Sequence, residues 1–134
     1  TLFSIRDTRL GIIADLGTLQ RLPRIIGEGL TRELALSGRD FSATEAFEMG
    51  LVTRVCEGRE KLFDTSETLA RQIADNPPLT VMGVKEVLNY SRDHGVDAGL
   101  HYVAQKNAAM LMSEDLMEAF TAFKEKRKPH FKGK

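Results

Sequence analysis

The feature that most restricts this chain is a change of character near residue 58. From Arg59 onward, apolar residues recur at three- and four-residue steps and strand-like alternation disappears. Leu62, Leu69, Ile73 and Ala74 mark one helix, closed by Asn76-Pro77-Pro78. Val81, Val84, Lys85 and Leu88 mark a second, and Val96 to Met112 forms a long third. Ser113 caps a fourth, with Glu114 and Asp115 well placed in its first turn and Leu116, Met117, Phe120 and Phe123 along it. A fold that contains this segment has a helical layer at its C-terminal side.

Ahead of the boundary the pattern is mixed. Leu2-Phe3-Ser4-Ile5 reads as a strand, which needs a neighbour to satisfy its backbone groups. With no turn before it, we expect the chain to be the downstream portion of something longer. Asp7-Thr8-Arg9 reads as a turn, and Leu10 to Gly17 as a loop packed against a core. A short helix follows from Thr18 to Ile26, with Pro23 near its start or kinking it and Gly27 ending it. Leu30 to Ser37 is a further helix. Ser42-Ala43-Thr44-Glu45 is a capping box: the serine accepts from an orphan amide while the glutamate reaches back to the cap. Ala46, Phe47 and Met49 fill that helix and Gly50 stops it. Leu51-Val52-Thr53-Arg54-Val55, rich in β-branched residues, reads as a strand. The expected class is therefore α/β, with a mixed region 1–58 and a helical region 59–134.

Charge narrows the partners. Nineteen Lys and Arg face nineteen Asp and Glu, so no uniform cationic field favours nucleic acid or an anionic membrane. No apolar run approaches the ~20 residues of a membrane-spanning helix. A single cysteine, Cys56, forms no internal disulfide and reads as a buried apolar residue. His94, His101 and His130 lack metal-ligand spacing, so no metal is expected. Gly27-Glu28-Gly29 follows no strand and is no dinucleotide fingerprint. The basic run at 124–128 reads as the solvated end of a helix, where cations complement the dipole.

Two carboxylates stand out. Asp15 lies between Ile12-Ile13-Ala14 and Leu16, a setting expected to desolvate it partly and so favour proton transfer. Asp7 lies eight residues earlier, and a loop folding back between them would bring two carboxylates to one cavity. A plainer reading stays open: Asp15 caps the next helix and Asp7 is a solvated turn residue.

Gly11-Ile12-Ile13-Ala14-Asp15-Leu16-Gly17-Thr18-Leu19-Gln20-Arg21-Leu22-Pro23 resembles the enoyl-CoA hydratase/isomerase (crotonase) family. The similarity continues through Leu36-Ser37-Gly38-Arg39, Ser42-Ala43-Thr44-Glu45-Ala46 and Gly50-Leu51-Val52. It resumes at Ala122-Phe123-Lys124-Glu125-Lys126-Arg127-Lys128-Pro129, so it runs along nearly the whole chain. The resemblance implies the C-terminal part of a crotonase-like (ClpP/crotonase) spiral fold, mostly α-helical in this segment. Within the family, hydratases carry glycine at the position of Asp15 and dienoyl-CoA isomerases carry aspartate. The implied reaction converts a 3,5-dienoyl-CoA to its 2,4-dienoyl isomer, as a step in fatty-acid oxidation. Asp15 would be one catalytic carboxylate; the family's other is a glutamate, matched here by the shorter Asp7.

The resemblance also implies CoA-binding roles for Phe123, near the adenine, and Lys126, near a phosphate. It implies an acyl-CoA thioester substrate, no separate cofactor, and a homo-oligomer (a trimer or dimer of trimers) built through residues 59–134. The family's enolate-stabilising backbone donors precede the segment matched here, so the chain by itself is expected to be incomplete for catalysis. Two alternatives remain: an enoyl-CoA hydratase of the same family, and a non-catalytic oligomerisation module with solvated carboxylates. Lys132-Gly133-Lys134 is not a peroxisomal tripeptide, and we expect a bacterial, cytoplasmic protein.

Overall fold

The structure is a computed structural model that describes residues 1–134. It divides into two compact units, Thr1–Leu62 and Phe63–Lys134.

In the first unit, the opening strand finds its neighbour inside the chain. β1 (Leu2–Phe3) pairs antiparallel with β2 (Phe41–Ser42), Leu2 opposite Ser42 and Phe3 opposite Phe41. The two phenylalanine rings stack with centroids 5.5 Å apart. The strand is shorter than the alternation suggested, because only two residues have a partner to pair with. Asp7–Leu10 is a 3₁₀ turn, followed by an irregular stretch to Gly17. Three short helices come next: α1 (Thr18–Arg21), α2 (Pro23–Ile26) and α3 (Glu28–Ser37). Pro23 takes the first position of α2, where its missing N–H costs nothing, and so separates α1 from α2.

α4 (Ala43–Glu48) carries the expected capping box in full. The Glu45 amide donates to Ser42 Oγ at 3.1 Å, and the Ser42 amide donates to Glu45 Oε2 at 2.9 Å. Those bonds, with the Arg39 guanidinium beside it, hold the Glu45 carboxyl below its ordinary range. Ile5, Ala14, Leu22, Ile26, Leu34, Ala35, Phe41 and Ala46 form the core of this unit. At roughly 25 cal/mol for each Å² of apolar surface removed from water, such a cluster is what holds short elements together.

The strand expected at Leu51–Val55 does not form. The Leu51 and Val52 amides both donate to the Ala46 carbonyl, at 2.8 and 3.1 Å, and so finish the end of α4. An apolar, β-branched run becomes a strand only beside another strand, and none lies alongside.

In the second unit four helices follow one another: α5 (Gly58–Ala74, begun in the first unit), α6 (Pro78–His94), α7 (Val96–Met110) and α8 (Glu114–Glu125). α7 ends two residues sooner than its apolar pattern. α6 and α7 pack closely, and Gly99 permits it: a Cβ there would overlap the Ser91 side chain. Across the same pair, Tyr90 stacks on Tyr102 with centroids 4.3 Å apart, and Lys106 pairs with Glu86. No helix is long and apolar enough to cross a membrane.

The C-terminal residues fold back on the start of α8. Asp115 is only 2% exposed, and its carboxylate accepts the Lys132 amide at 2.7 Å and the Gly133 amide at 2.8 Å. Its own amide donates to the Lys134 carbonyl at 3.2 Å. One turn along, Glu118 accepts the His130 amide at 2.8 Å. The tail is thus a strap fastened by two acidic residues three apart on one helix face.

Candidate functional site

Asp7 opens the 3₁₀ turn and is half-buried. The turn is fastened to the end of α3, whose last carbonyls have no partner within their helix. Thr8 Oγ1 donates to the Ala35 carbonyl at 2.6 Å, and Arg9 Nε donates to that of Ser37 at 3.3 Å. The Ile12 amide closes the turn onto the Asp7 carbonyl at 3.0 Å. Neither the Asp7 nor the Asp15 carboxylate has a hydrogen-bond or ion-pair partner in the chain, so both are available to a ligand.

Asp15 differs from the expectation in one respect. Its neighbour Ala14 is anchored in the core at 8% exposure, but Asp15 itself is exposed, as are Ile13 and Leu16 at 80% and 86%. The chain therefore does not desolvate this carboxylate. An apolar sequence context predicted burial, yet a single buried alanine suffices to hold the loop, and the residues on either side of it point elsewhere. Asp15 also makes no cap: the residue capping α1 is Gly17, which supplies no side-chain bond. A hollow of about 370 Å³ beside the loop is lined by Ile5, Ile12, Ile13, Ala14, Leu19 and Leu36. Neither carboxylate lines it.

Phe123 and Lys126 belong to the second unit, three residues apart at the end of α8. Phe123 is 85% exposed. Lys126 is exposed, adopts φ 54° and ψ 39°, and forms no ion pair. The next residue is held tightly: Arg127 forks onto Glu118 through bonds of 2.6 and 2.8 Å and donates to Glu125 at 2.6 Å. That guanidinium, together with the His130 amide, holds the Glu118 carboxyl down at about 2. The same carboxylates push the Arg127 guanidinium up. Sequence reading did not single out Glu118, Arg127 or Asp115 as a group; their link to residues 127–133 spans up to eighteen positions and has no local signature.

A second, apolar groove of about 310 Å³ lies among α6, α7 and α8, bordered by Val84, Leu88, Val103, Met110 and Leu116. It contains none of the four candidate residues. Cys56, expected to be buried, is half-exposed.

Short α/β elements around one small core, followed by four helices, are shared with a wider group of proteins. The chain belongs to the enoyl-CoA hydratase/isomerase family, whose model matches residues 1–134. Its fold is the crotonase-like α/β fold, mostly helical here: enoyl-CoA hydratase from Mycobacterium tuberculosis superposes with a TM-score of 0.93 at 33% identity, over 100% of this chain and 53% of that one. Among curated relatives, the mitochondrial Delta(3,5)-Delta(2,4)-dienoyl-CoA isomerase of Dictyostelium discoideum is 51% identical, over 97% of this chain and 44% of its own length. The peroxisomal Delta(3,5)-Delta(2,4)-dienoyl-CoA isomerase of Arabidopsis thaliana is 50% identical, over 96% of this chain and 46% of its length. The chain thus spans about half the length of the relatives it matches.

These relatives overturn the cytoplasmic expectation, since one is mitochondrial and the other peroxisomal. The inference from Lys132-Gly133-Lys134 fails for a simple reason. Lacking one receptor-read tripeptide leaves every other cellular address untouched.

Proposed function

We propose that this chain carries the proton-transfer carboxylates of an enzyme that isomerises 3,5-dienoyl-CoA to 2,4-dienoyl-CoA. The observation that carries the reading is an unpartnered Asp15 on a core-anchored loop, in a chain 50–51% identical to two dienoyl-CoA isomerases. In the reaction, one carboxylate takes a proton from the carbon next to the thioester. The electron pair left behind shifts both double bonds toward the thioester, and the second carboxylate returns a proton at the far end of the diene. Asp15 and Asp7 are the two groups assigned. An aspartate at position 7 is one methylene shorter than the family's glutamate. The bonds from Thr8 and Arg9 to α3 fix the turn from which it reaches.

Proton transfer of this kind needs donors at the thioester oxygen to stabilise the enolate, and water kept away from it. Neither need is met by Asp7 or Asp15. Phe123 and Lys126 are assigned to the adenine and a phosphate of the CoA moiety. No separate cofactor is invoked, and a trimer or dimer of trimers is the assembly assigned.

The test is an ultraviolet assay with a 3,5-dienoyl-CoA on the protein that carries this chain, because the product is conjugated to its thioester and absorbs differently. Asp15→Asn keeps the size of the side chain but cannot exchange a proton, and should slow turnover by roughly 10²- to 10⁴-fold. Unchanged turnover in that variant removes Asp15 from the mechanism. Hydration of crotonyl-CoA with no dienoyl isomerisation would point to the hydratase activity instead.

A further inference from the structure

Every residue in this chain with a positive φ is glycine, at eight positions, except Lys126. Left-handed backbone crowds an L side chain, and glycine is the residue that adopts it freely. At the end of α8 a glycine would make the same stop: the Lys126 amide bonds the Phe123 carbonyl at 3.2 Å and the Arg127 amide bonds the Ala122 carbonyl at 3.0 Å, a closure that asks only for backbone groups. A side chain at this position is therefore carried at a cost to the fold. Strain of this sort persists where the surroundings hold it in place, and here they do. Arg127, the residue immediately after, is fixed by the fork to Glu118 and the bond to Glu125. Glu118 is itself tied to the His130 amide. Around the turn the cations of Arg127, Lys128 and Lys132 are paired with carboxylates, whereas those of Lys124 and Lys126 are not, and of these two only Lys126 sits on the left-handed turn.

We propose that Glu118 and Arg127 are positioning residues that lock the left-handed turn at Lys126, so that its ammonium is held out beside the exposed Phe123 ring to receive the phosphorylated, adenine-bearing end of an acyl-CoA. The proposal rests on the acyl-CoA reading above and deepens it. The clamp touches no substrate. Its effect falls on binding of the CoA moiety, and kcat is untouched because the reacting carbons are elsewhere.

A double-mutant cycle on the protein carrying this chain separates positioning from general support of the fold. The probe is free CoA, measured by calorimetry against the wild type, Glu118→Gln, Lys126→Gly and the pair together. Glu118→Gln should weaken CoA binding roughly 3-fold or more, with kcat at saturating dienoyl-CoA unchanged. Lys126→Gly should weaken binding by a similar factor, while its thermal midpoint stays at or above that of the wild type. In the Lys126→Gly background, adding Glu118→Gln should cost less than about 1.5-fold, because the group it positions is gone. Arg127→Lys keeps the charge, loses the fork, and should repeat the Glu118→Gln pattern; it serves where Glu118→Gln does not fold. An equal penalty for Glu118→Gln in both backgrounds, or a clear fall in the midpoint of Lys126→Gly, overturns the clamp alone. A wild type that binds no CoA overturns the acyl-CoA reading and the clamp with it.

Discussion

Replacing Asp115 with alanine should release the C-terminal strap, and the structure sets the size of the effect. Two backbone amides, those of Lys132 and Gly133, donate to this carboxylate at 2.7 and 2.8 Å, and the side chain is almost fully enclosed. Hydrogen bonds to a charged acceptor contribute ~1.5–3 kcal/mol each, so the gross loss is ~3–6 kcal/mol. Losing a negative charge from the first turn of α8 adds ~0.3–1 kcal/mol. Against this, the tail can lift and both amides can regain water, which returns part of the loss. We expect a net destabilisation of about 3 kcal/mol. Asp115→Asn keeps one accepting oxygen but turns an NH₂ group toward a donor, and should cost about 2 kcal/mol. Urea unfolding reads the loss as a lower midpoint at unchanged slope. Hydrogen exchange reads it locally, the amides of residues 132 and 133 exchanging far faster in the alanine variant. Asp115→Ala within about 0.5 kcal/mol of the wild type, with those two amides still protected, would refute the strap as the reason for burying this carboxylate.

Acid provides a second measurement. The Glu118 carboxyl is lowered from an ordinary 4.5 to about 2 by the Arg127 fork and the His130 amide. A depressed carboxylate stabilises the fold fully above its unfolded value and loses that contribution as pH falls toward the folded one. The stability difference between wild type and Glu118→Gln should therefore be constant above about pH 5 and shrink between there and about pH 2; a difference independent of pH contradicts the assignment. Gly38→Ala tests the support beneath Asp7. With φ at +59° and a Cβ that would lie 2.9 Å from Arg9 Cγ, the substitution strains the backbone and displaces the Arg9 bond to Ser37. It should cost about 1–2 kcal/mol in thermal unfolding, and a neutral result would show that this turn yields freely.

The candidate residues were legible to different degrees in the two units. Asp15 was found through an apolar context, and that same context misjudged its exposure. Burial depends on which chain segments cover a residue, and the run Ile12 to Leu16 says only that something apolar could. Thr8 and Arg9, which fasten the Asp7 turn, gave no signal because their partners lie 27 and 28 residues away. Lys126 was found by resemblance; that its backbone is left-handed is invisible in a string of lysines, arginines and glutamates.

What the amino-acid order settled by itself is the set of features whose partners lie within a turn. The Ser42–Glu45 box, the Ser113 cap, the break at Pro23 and the periods of α5 to α8 all depend on residues at most four apart, so the sequence states both halves of each interaction. Tertiary structure decided the rest. It made Leu51 and Val52 the end of a helix, because only a neighbouring strand turns β-branched residues into β-structure. It gave Asp115 and Glu118 their tail amides, because a long-range hydrogen bond exists only once the chain has turned back on itself.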